Sequence, residues 1–600
     1  MIEVAPSPSP ARPPGVHRQG VQAETWQPWA RRAGMALVAG LPVTFLAIFF
    51  VWPVATLILR GFAGTSGWDW SGFAEVLSKP RTWRLIGRTV GQAASATAIC
   101  VAASVPIAAL LYRRSFRGRG LLRALLTVPF ALPSVVVGLA FRALLGAGGP
   151  LAFLGIEDGF WPVLMALVFF NVGLMARVVG LFWVGLDPRP EQAARVLGAG
   201  PWRALLTVTV PALAPALLAG GSLVFLFCAT AFAPVLILGG ATYATVETEI
   251  YLQTAQLLDL RAASVLSVIQ MAVVALALWF SSAARRRREP VAKRSGAGSG
   301  LGGIGQERGN GGRPTALAPS PTFAVDWPSA LVTALAVALI GAPLANLVYR
   351  SLLTGGGLSL DNYLALGDPG RAGLPYSLAQ AAERSIVIAL LAGAIALTLG
   401  MMVAVVLSRR PRAPWARRAQ GLFDSVLMAP LGVSAVTVGF GFLITLNRAP
   451  LNLRTSFWLI PLAQALVALP LVVRTVLPAL RSIDPRQRQA AAVLGGPPWR
   501  VFWDVEARTL RRPVAVAAAY AFAVSVGEFG ATSFLARPDT TTLPVAIYKL
   551  LGRPGVDNFG VALAGAVLLA AITALVMALA ESRWDRSPGL AKRTREGARA

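Results

Sequence analysis

The segment Asp187-Pro188-Arg189-Pro190-Glu191-Gln192-Ala193-Ala194-Arg195-Val196-Leu197-Gly198 decides how this chain is organised, because the chain contains it twice in closely similar form. The second copy runs from Asp484 to Gly495 and lies 297 residues further along a chain of 600. In both copies Asp-Pro suits the first turn of a helix, and the glycine suits its end. Because long apolar segments flank both copies, we predict a duplicated protein with two equivalent polar loops.

The composition indicates a protein that crosses a membrane many times. Apolar residues make up 55% of the chain and charged residues 14%, and the apolar residues form blocks of about 20, the length of a transmembrane helix. A net charge of +28 on a soluble surface would suggest a nucleic-acid partner. Here the arginines lie between apolar blocks, as the positive-inside rule describes. We therefore expect a lipid membrane around this chain and no nucleic acid.

Side chains for metal or catalytic chemistry are scarce. Cys100 and Cys228 both lie in apolar blocks, and the only histidine, His17, lies in a Pro-rich segment. A metal site made of Cys and His ligands is therefore not expected, and neither is a catalytic site.

The apolar blocks form two sets of six predicted spans, so the fold class is an all-α polytopic membrane protein with about twelve transmembrane helices. The first set lies near 33–59, 89–112, 124–144, 160–181, 211–238 and 262–284. The second set lies near 327–349, 385–408, 425–446, 457–478, 513–535 and 559–580.

Five regions follow from these spans and from the polar segments around them. They are a disordered tail at 1–30, a first half at 31–284, a flexible linker at 285–326, a second half at 327–581 and a basic tail at 582–600. Arginine clusters before the first span, after the second and after the sixth place both termini and both repeated loops in the cytoplasm.

The duplication extends beyond the loops. At the same spacing of 297 residues, Phe232 matches Phe529 and Ile250-Tyr251 matches Ile547-Tyr548. Since both halves begin and end on the same side of the membrane, they are parallel repeats about an axis along the membrane normal.

The two loops resemble the EAA loop of bacterial ABC-importer permeases, in which Glu-Ala-Ala is followed after three residues by Gly and later by Leu-Pro. Gln replaces the first Glu in both copies, and the final Pro of the second copy is replaced by Arg508. The residues assigned to the loops are Gln192, Ala193, Ala194, Leu197, Gly198 and Pro211 in the first copy, and Gln489, Ala490, Ala491, Leu494 and Gly495 in the second.

This resemblance implies two six-helix permease repeats of the type I importer fold in the inner cell membrane. Each loop would be a coupling helix on one of two separate ABC ATPase subunits, and an extracytoplasmic substrate-binding protein would deliver the substrate. ATP and Mg²⁺ would be held by the ATPase subunits, with no cofactor on this chain. A lipid-bound interfacial helix is the alternative for each loop alone.

Fusion of both halves in one chain resembles the thiamine permease and the ferric-iron permeases. Phe169-Phe170-Asn171 and Gly527-Glu528-Phe529-Gly530 look most like the thiamine type. The resemblance therefore implies thiamine as the substrate, with ferric iron as the alternative.

Three polar residues inside predicted spans are candidates for the substrate pathway, because polar groups at membrane depth are costly. Glu528 would face a cationic substrate, unless it lies solvated or paired with an arginine at the outer end of its helix. Asn171 and Gln464 would line the pathway, unless they only join helices.

Glu247 and Glu249 lie in a predicted outer loop, where they would contact a binding protein or only water. An ion-coupled secondary transporter is the alternative of another class, although it would be expected to carry more buried ionisable groups than Glu528.

Overall fold

The computed structural model describes residues 38–64, 67–294, 323–355, 357–369, 374–409, 413–447, 452–495, 497–553 and 555–585. The predicted tail at 1–30, most of the predicted basic tail and the centre of the predicted linker lie outside these residues, whereas the first four residues of the basic tail extend the last helix. Helices account for most of the described chain, which confirms the all-α prediction. Two short antiparallel hairpins are present, β1 (Ala63–Gly64) with β2 (Gly67–Trp68) and β3 (Leu353–Thr354) with β4 (Gly357–Leu358).

The helices follow the chain in two similar series. Those of the first half are α1 (Trp52–Gly61), α2 (Ser71–Ser78), α3 (Pro80–Arg113), α4 (Arg119–Ala131), α5 (Ser134–Leu145), α6 (Phe160–Val184), α7 (Arg189–Val196), α8 (Pro201–Ala204), α9 (Val210–Ala229), α10 (Ala233–Leu238), α11 (Val246–Ala255) and α12 (Leu260–Arg294). Those of the second half are α13 (Phe323–Ser351), α14 (Asp361–Leu364), α15 (Leu378–Ser408), α16 (Pro414–Gly432), α17 (Ala435–Thr445), α18 (Leu459–Ser482), α19 (Pro485–Val493), α20 (Pro498–Val501), α21 (Arg508–Val526), α22 (Thr532–Leu535), α23 (Leu543–Leu551) and α24 (Val556–Asp585). Short 3₁₀ turns lie at Ala152–Leu154 and Ala365–Gly367.

Nine helices of the described chain are long and apolar enough to cross a membrane, or eleven when each of two bent pairs counts as one span. The bent pairs are α4 with α5, at 107°, and α16 with α17, at 96°. They occupy the third predicted span of each half, which is therefore broken near its middle. In the first half the break consists of Leu132 and Pro133, and the residue before a proline disfavours helical geometry. In the second half Ser434 caps α17 by accepting a hydrogen bond from the Thr437 N–H at 3.0 Å.

Other boundaries also differ from the predicted ones, among them those of the eleventh span and of the linker. The span predicted at 513–535 begins earlier, at Arg508, and its helix α21 ends at Val526, so its first turn is polar and its apolar part is short. Helix α12 continues to Arg294, which makes the first ten residues of the predicted linker helical.

The first span of each half packs against the other half. Leu46 and Phe50, in the continuous span Val38–Gly61, belong to the apolar core of the second half, where the Phe49 and Phe442 rings lie 5.9 Å apart. In the reciprocal arrangement, Ile340 of α13 belongs to the apolar core that contains most of the first half. This exchange ties the halves together by buried apolar surface, the main source of free energy for close packing inside a protein.

A wide π-helical turn precedes the long helix after each repeated loop. The turns are Leu205–Thr209 and Phe502–Ala507, and they begin at equivalent positions, 297 residues apart. Pro211 follows the first turn and Arg508 follows the second. Because the turn forms with and without the proline, the loss of Pro in the second copy does not change the local backbone.

Gly173 permits the closest backbone approach in the first half. A Cβ atom at this position of α6 would lie 1.6 Å from the Leu126 carbonyl oxygen in α4, so α6 would have to move. We expect Gly173→Ala to lower the free energy of unfolding by about 1–3 kcal/mol or more, the usual cost of overpacking. Thermal unfolding of the detergent-solubilised protein measures this loss. Gly91→Ala in α3 is the matched control, because the part of the chain that the structure describes has no atom within 4 Å of its Cβ position. An unchanged midpoint for Gly173→Ala would contradict the packing.

Candidate functional site

The first repeated loop is a short helix with well-formed ends. The Asp187 carboxylate accepts a hydrogen bond from the Arg189 N–H at 3.0 Å, and α7 begins there. At the other end, the Gly198 N–H donates to the Arg195 carbonyl and the Ala199 N–H donates to the Ala194 carbonyl, both at 3.0 Å. These two bonds form a Schellman motif, which requires a left-handed residue, and Gly198 has a φ of +86°.

The second loop repeats this geometry. The Asp484 carboxylate accepts a hydrogen bond from the Arg486 N–H at 2.9 Å. Helix α19 then ends at Val493, and Gly495 has a φ of +79°. The aspartate caps and glycine ends expected from the sequence are therefore present in both copies.

Both loops expose apolar side chains at equivalent positions. Val196 and Leu197 are each 87% exposed, and Val493 and Leu494 are 86% and 87% exposed. Large apolar side chains on a polar loop indicate a contact surface. Among the assigned loop residues, Ala194 and Ala491 are half-buried, and the exposed ones are Gln192, Ala193, Leu197, Gly198, Pro211, Gln489, Ala490, Leu494 and Gly495.

Glu191 holds the first loop to the helices behind it. Its carboxylate lies 2.9 Å from the Arg195 guanidinium and 3.7 Å from that of Arg113 at the end of α3. It also accepts a hydrogen bond from the Thr209 hydroxyl at 3.2 Å. The equivalent position in the second copy is Arg488, which has the opposite charge. Glu191 was not among the residues assigned from the sequence, although it directly precedes Gln192, where the family pattern has its acid.

Glu528 lies just beyond the end of α21, at the far end of this helix from the loop, and it is 6% exposed. Its carboxylate accepts hydrogen bonds from the Ala531 N–H at 2.7 Å, from the Thr532 N–H at 3.0 Å and from the Thr532 hydroxyl. These bonds make Glu528 the cap of α22. The alternative of a solvated carboxylate is wrong, because surrounding helices exclude water from it.

Gln464 and Asn171 each join two helices. The Gln464 amide in α18 donates to the Thr532 hydroxyl at 3.3 Å, which connects it to Glu528 through one residue. The Asn171 amide in α6 donates to the Leu167 carbonyl at 2.9 Å and contacts the Cys228 sulfur of α9 at 3.5 Å. The structure therefore brings two of the three candidate pathway residues together and places Asn171 in a separate contact.

Glu247 and Glu249 are not in a solvated loop, so that expectation is wrong. Both lie in the first turn of α11 and are 0% and 2% exposed. Glu249 pairs with Arg81 at 2.8 Å. Glu247 accepts a hydrogen bond at 2.7 Å from the hydroxyl of Ser434, a residue of the second half. The sequence offered one signal for this burial, since Glu247 precedes the duplicated Tyr251 by one helical turn.

An aromatic cluster lies at the opposite end of the bundle from the loops. The rings of Phe232 and Phe529 stack with centroids 5.5 Å apart and an interplanar angle of 17°. Tyr251 lies 5.4 Å from Phe232, and Tyr548 lies 5.3 Å from Phe529. Phe534 completes the cluster at 5.4 Å from Tyr251.

Comparison with known proteins agrees with this duplicated architecture. The family model for the binding-protein-dependent transport system inner membrane component matches residues 101–287 and 396–582. The thiamine transport system permease protein ThiP of Salmonella typhimurium is 28% identical over 491 residues, which cover 78% of this chain and 84% of that protein. The ThiP of Brucella abortus is 26% identical over 577 residues, which cover 92% and 98%.

A relative that matches a smaller part of this chain is the sulfate transport system permease protein CysT of Escherichia coli. It is 30% identical over 213 residues, which cover 34% of this chain and 76% of that protein. The resemblance to importer permeases inferred from the two loops is thus confirmed. Since the family model matches each half separately and covers more than half of the residues, this chain belongs to the binding-protein-dependent transport system inner membrane components, as a multi-pass permease with two fused halves.

Proposed function

We propose that this chain forms the translocation pathway of an ATP-driven importer of thiamine. The observation that carries the proposal is the match to a permease named for thiamine transport, which covers 92% of this chain and both of its halves. The sulfate permease matches only 34% of this chain, so the fused architecture also favours the thiamine type.

In this proposal the two repeated loops dock on two ABC ATPase subunits in the cytoplasm. The exposed pairs Val196–Leu197 and Val493–Leu494 supply apolar contacts, and a short helix laid in a partner's groove is a common recognition mode. The turns at Gly198 and Gly495 fix the direction of each short helix. Movement of an ATPase subunit is then transmitted to α9 or α21 through the π-helical turns. Both termini then lie in the cytoplasm, and ATP and Mg²⁺ are bound by the ATPase subunits.

The loops are expected to contribute unequally. Glu191 ties the first loop to α3 and to Thr209, whereas the equivalent positions of the second copy carry a base, Arg488, and an acid, Glu506. An extracytoplasmic substrate-binding protein would dock at the opposite end of the bundle, close to the aromatic cluster.

The experiment is reconstitution of this chain with its candidate ATPase subunits and binding protein, in nanodiscs to measure ATP hydrolysis and in liposomes to measure uptake. We expect thiamine-loaded binding protein to stimulate ATP hydrolysis and liposome uptake of radiolabelled thiamine. If a binding protein loaded with ferric iron stimulates turnover instead, the substrate is ferric iron and the assignment as an ATP-driven importer stands. If no ATPase subunit co-purifies, or if turnover is indifferent to every binding protein, the ATP-driven importer is wrong.

A further inference from the structure

We propose that Phe232 and Phe529 close the substrate pathway on the axis between the halves, and that Glu247 beside them binds the positive end of a planar aromatic substrate. This inference rests on the proposed function for the presence of a pathway and for the class of substrate. It adds the residues that close the pathway and the residues that recognise the cation.

The contact between the Phe232 and Phe529 rings is called the gate, and its position follows from the duplication. Phe232 and Phe529 are equivalent residues of the two halves, and their rings are in direct contact. When two equivalent residues of a two-fold repeat touch each other, their contact lies on the axis that relates the repeats. Parallel repeats of a permease place the pathway along this axis, so the stacked rings lie in the pathway. Phe232 is 6% and Phe529 is 2% exposed, which shows that the pathway is closed at this level.

The level of the gate follows from the helix that leads to it. Helix α9 begins after the first loop and ends at Ala229, three residues before Phe232. Its 20 residues correspond to about 30 Å of helix. The gate is therefore on the side opposite the ATPase-docking loops, where a delivered substrate enters.

Glu247 has an unused capacity to accept hydrogen bonds. One carboxylate oxygen accepts from Ser434, and the Gln270 side chain is a further hydrogen-bond partner of the buried carboxylate. One Gln270 N–H donates to the Ala229 carbonyl at 2.9 Å, and the Gln270 amide oxygen has no donor within the described residues. Buried acceptors without donors are rare in folded proteins. A ligand with a positive charge or N–H groups would give the Gln270 oxygen a donor and the buried carboxylate a countercharge.

Glu247 is connected to the gate through Tyr251. The two residues are one turn apart on α11 and thus share a face, and the Tyr251 ring contacts Phe232 and Phe534. Aromatic rings stack on flat heterocycles and attract cations through their faces. The cluster therefore offers stacking surfaces next to an acceptor-rich carboxylate.

Glu247 has no acidic counterpart in the second half. The residue equivalent to Glu247 is Pro544, whereas Phe232 and Tyr251 match Phe529 and Tyr548. Ser434 belongs to the second half, so separation of the halves breaks its bond to Glu247 and frees the carboxylate for the substrate.

The gate is tested first in the permease alone. Phe232→Cys and Phe529→Cys are combined with Cys100→Ala and Cys228→Ala, and a protease site is placed in the linker. We expect oxidation or a short bismaleimide to hold the cleaved halves together on a gel, and either single cysteine to fail to do so. Absence of this cross-link would overturn the placement on the axis.

In the reconstituted complex the disulfide should abolish thiamine uptake, and dithiothreitol should restore it. Full uptake by the cross-linked protein would overturn the gate.

The cation contact is tested with Glu247→Gln, which keeps the shape and one acceptor oxygen. We expect thiamine uptake to fall by about tenfold, equivalent to about 1.4 kcal/mol, with unchanged thermal unfolding and unchanged stimulation of ATP hydrolysis by the binding protein. Glu249→Gln is the matched control and should retain uptake, because Glu249 pairs with Arg81. Normal uptake by Glu247→Gln would show that the charge does not contact the substrate. Failure of this variant to fold would assign Glu247 to the stability of the fold. Either result would overturn the proposed contact.

The two proposals fail in different ways. If the wild-type complex takes up no thiamine, the proposed function is wrong, whereas the cross-link in the isolated permease still reports on the axis. If the wild type transports and only the variants behave otherwise than expected, the gate is wrong and the function stands.

Discussion

Replacement of Gly198 by valine is expected to abolish most transport while the protein still inserts and folds. Gly198 has a φ of +86°, and an L-residue with a Cβ atom pays about 1–2 kcal/mol in this left-handed conformation. No atom of the described residues lies within 4 Å of the Cβ position, so the strain falls on the Schellman end of α7 and not on packing. A loop that leaves this conformation presents Val196 and Leu197 in another direction. A conformational cost of about 1.4 kcal/mol lowers the population of the docking-competent loop about tenfold.

The measurement compares thiamine uptake and ATPase co-purification for Gly198→Val, Gly495→Val and Gly200→Ala. Gly200 has a φ of −62° and open space around its Cβ position, so its substitution should leave both readouts near wild type. Gly495 has a φ of +79° and should behave like Gly198. Uptake that survives in both valine variants would show that the loop direction does not couple ATP hydrolysis to transport.

Truncation of Glu528 to alanine is expected to destabilise the protein strongly. The carboxylate accepts three buried hydrogen bonds, from the Ala531 N–H, the Thr532 N–H and the Thr532 hydroxyl. Each buried donor left without a partner costs about 1–3 kcal/mol, so the loss of free energy of unfolding should reach roughly 3 kcal/mol or more. Thermal unfolding in detergent measures it. Asp504→Ala, which truncates an exposed carboxylate in the same half, should change stability by no more than about 0.5 kcal/mol.

The Glu528→Gln variant distinguishes the capping of α22 by Glu528 from a role of its charge in the substrate pathway. The amide retains one acceptor oxygen for the start of α22 and removes the negative charge. A stable Glu528→Gln that transports poorly would support the pathway role, whereas a stable variant with normal uptake would confine Glu528 to the cap. An unchanged unfolding midpoint for Glu528→Ala would contradict the cap itself.

The loops were predictable from the sequence because their structure is local. Asp187 and Asp484 accept hydrogen bonds from backbone two residues away, and Gly198 and Gly495 follow short helices that begin at Arg189 and Pro485. The duplication also predicted where the loops lie, since a second copy at a fixed spacing implied equivalent positions in the two halves. Glu191 was missed because its partners Arg113 and Thr209 lie on other helices, and a loop pattern does not contain them.

The sequence by itself determined the membrane class, the two halves, the loop chemistry and the match of Phe232 with Phe529, because these depend on composition, periodicity and spacing. Only the tertiary structure decided that the first spans are exchanged, that the third predicted span of each half is bent, that Glu247 meets Ser434 and that the matched phenylalanines touch. The physical reason is distance along the chain. Glu247 and Ser434 are 187 residues apart, and their contact depends on how whole helices pack, which no local propensity specifies.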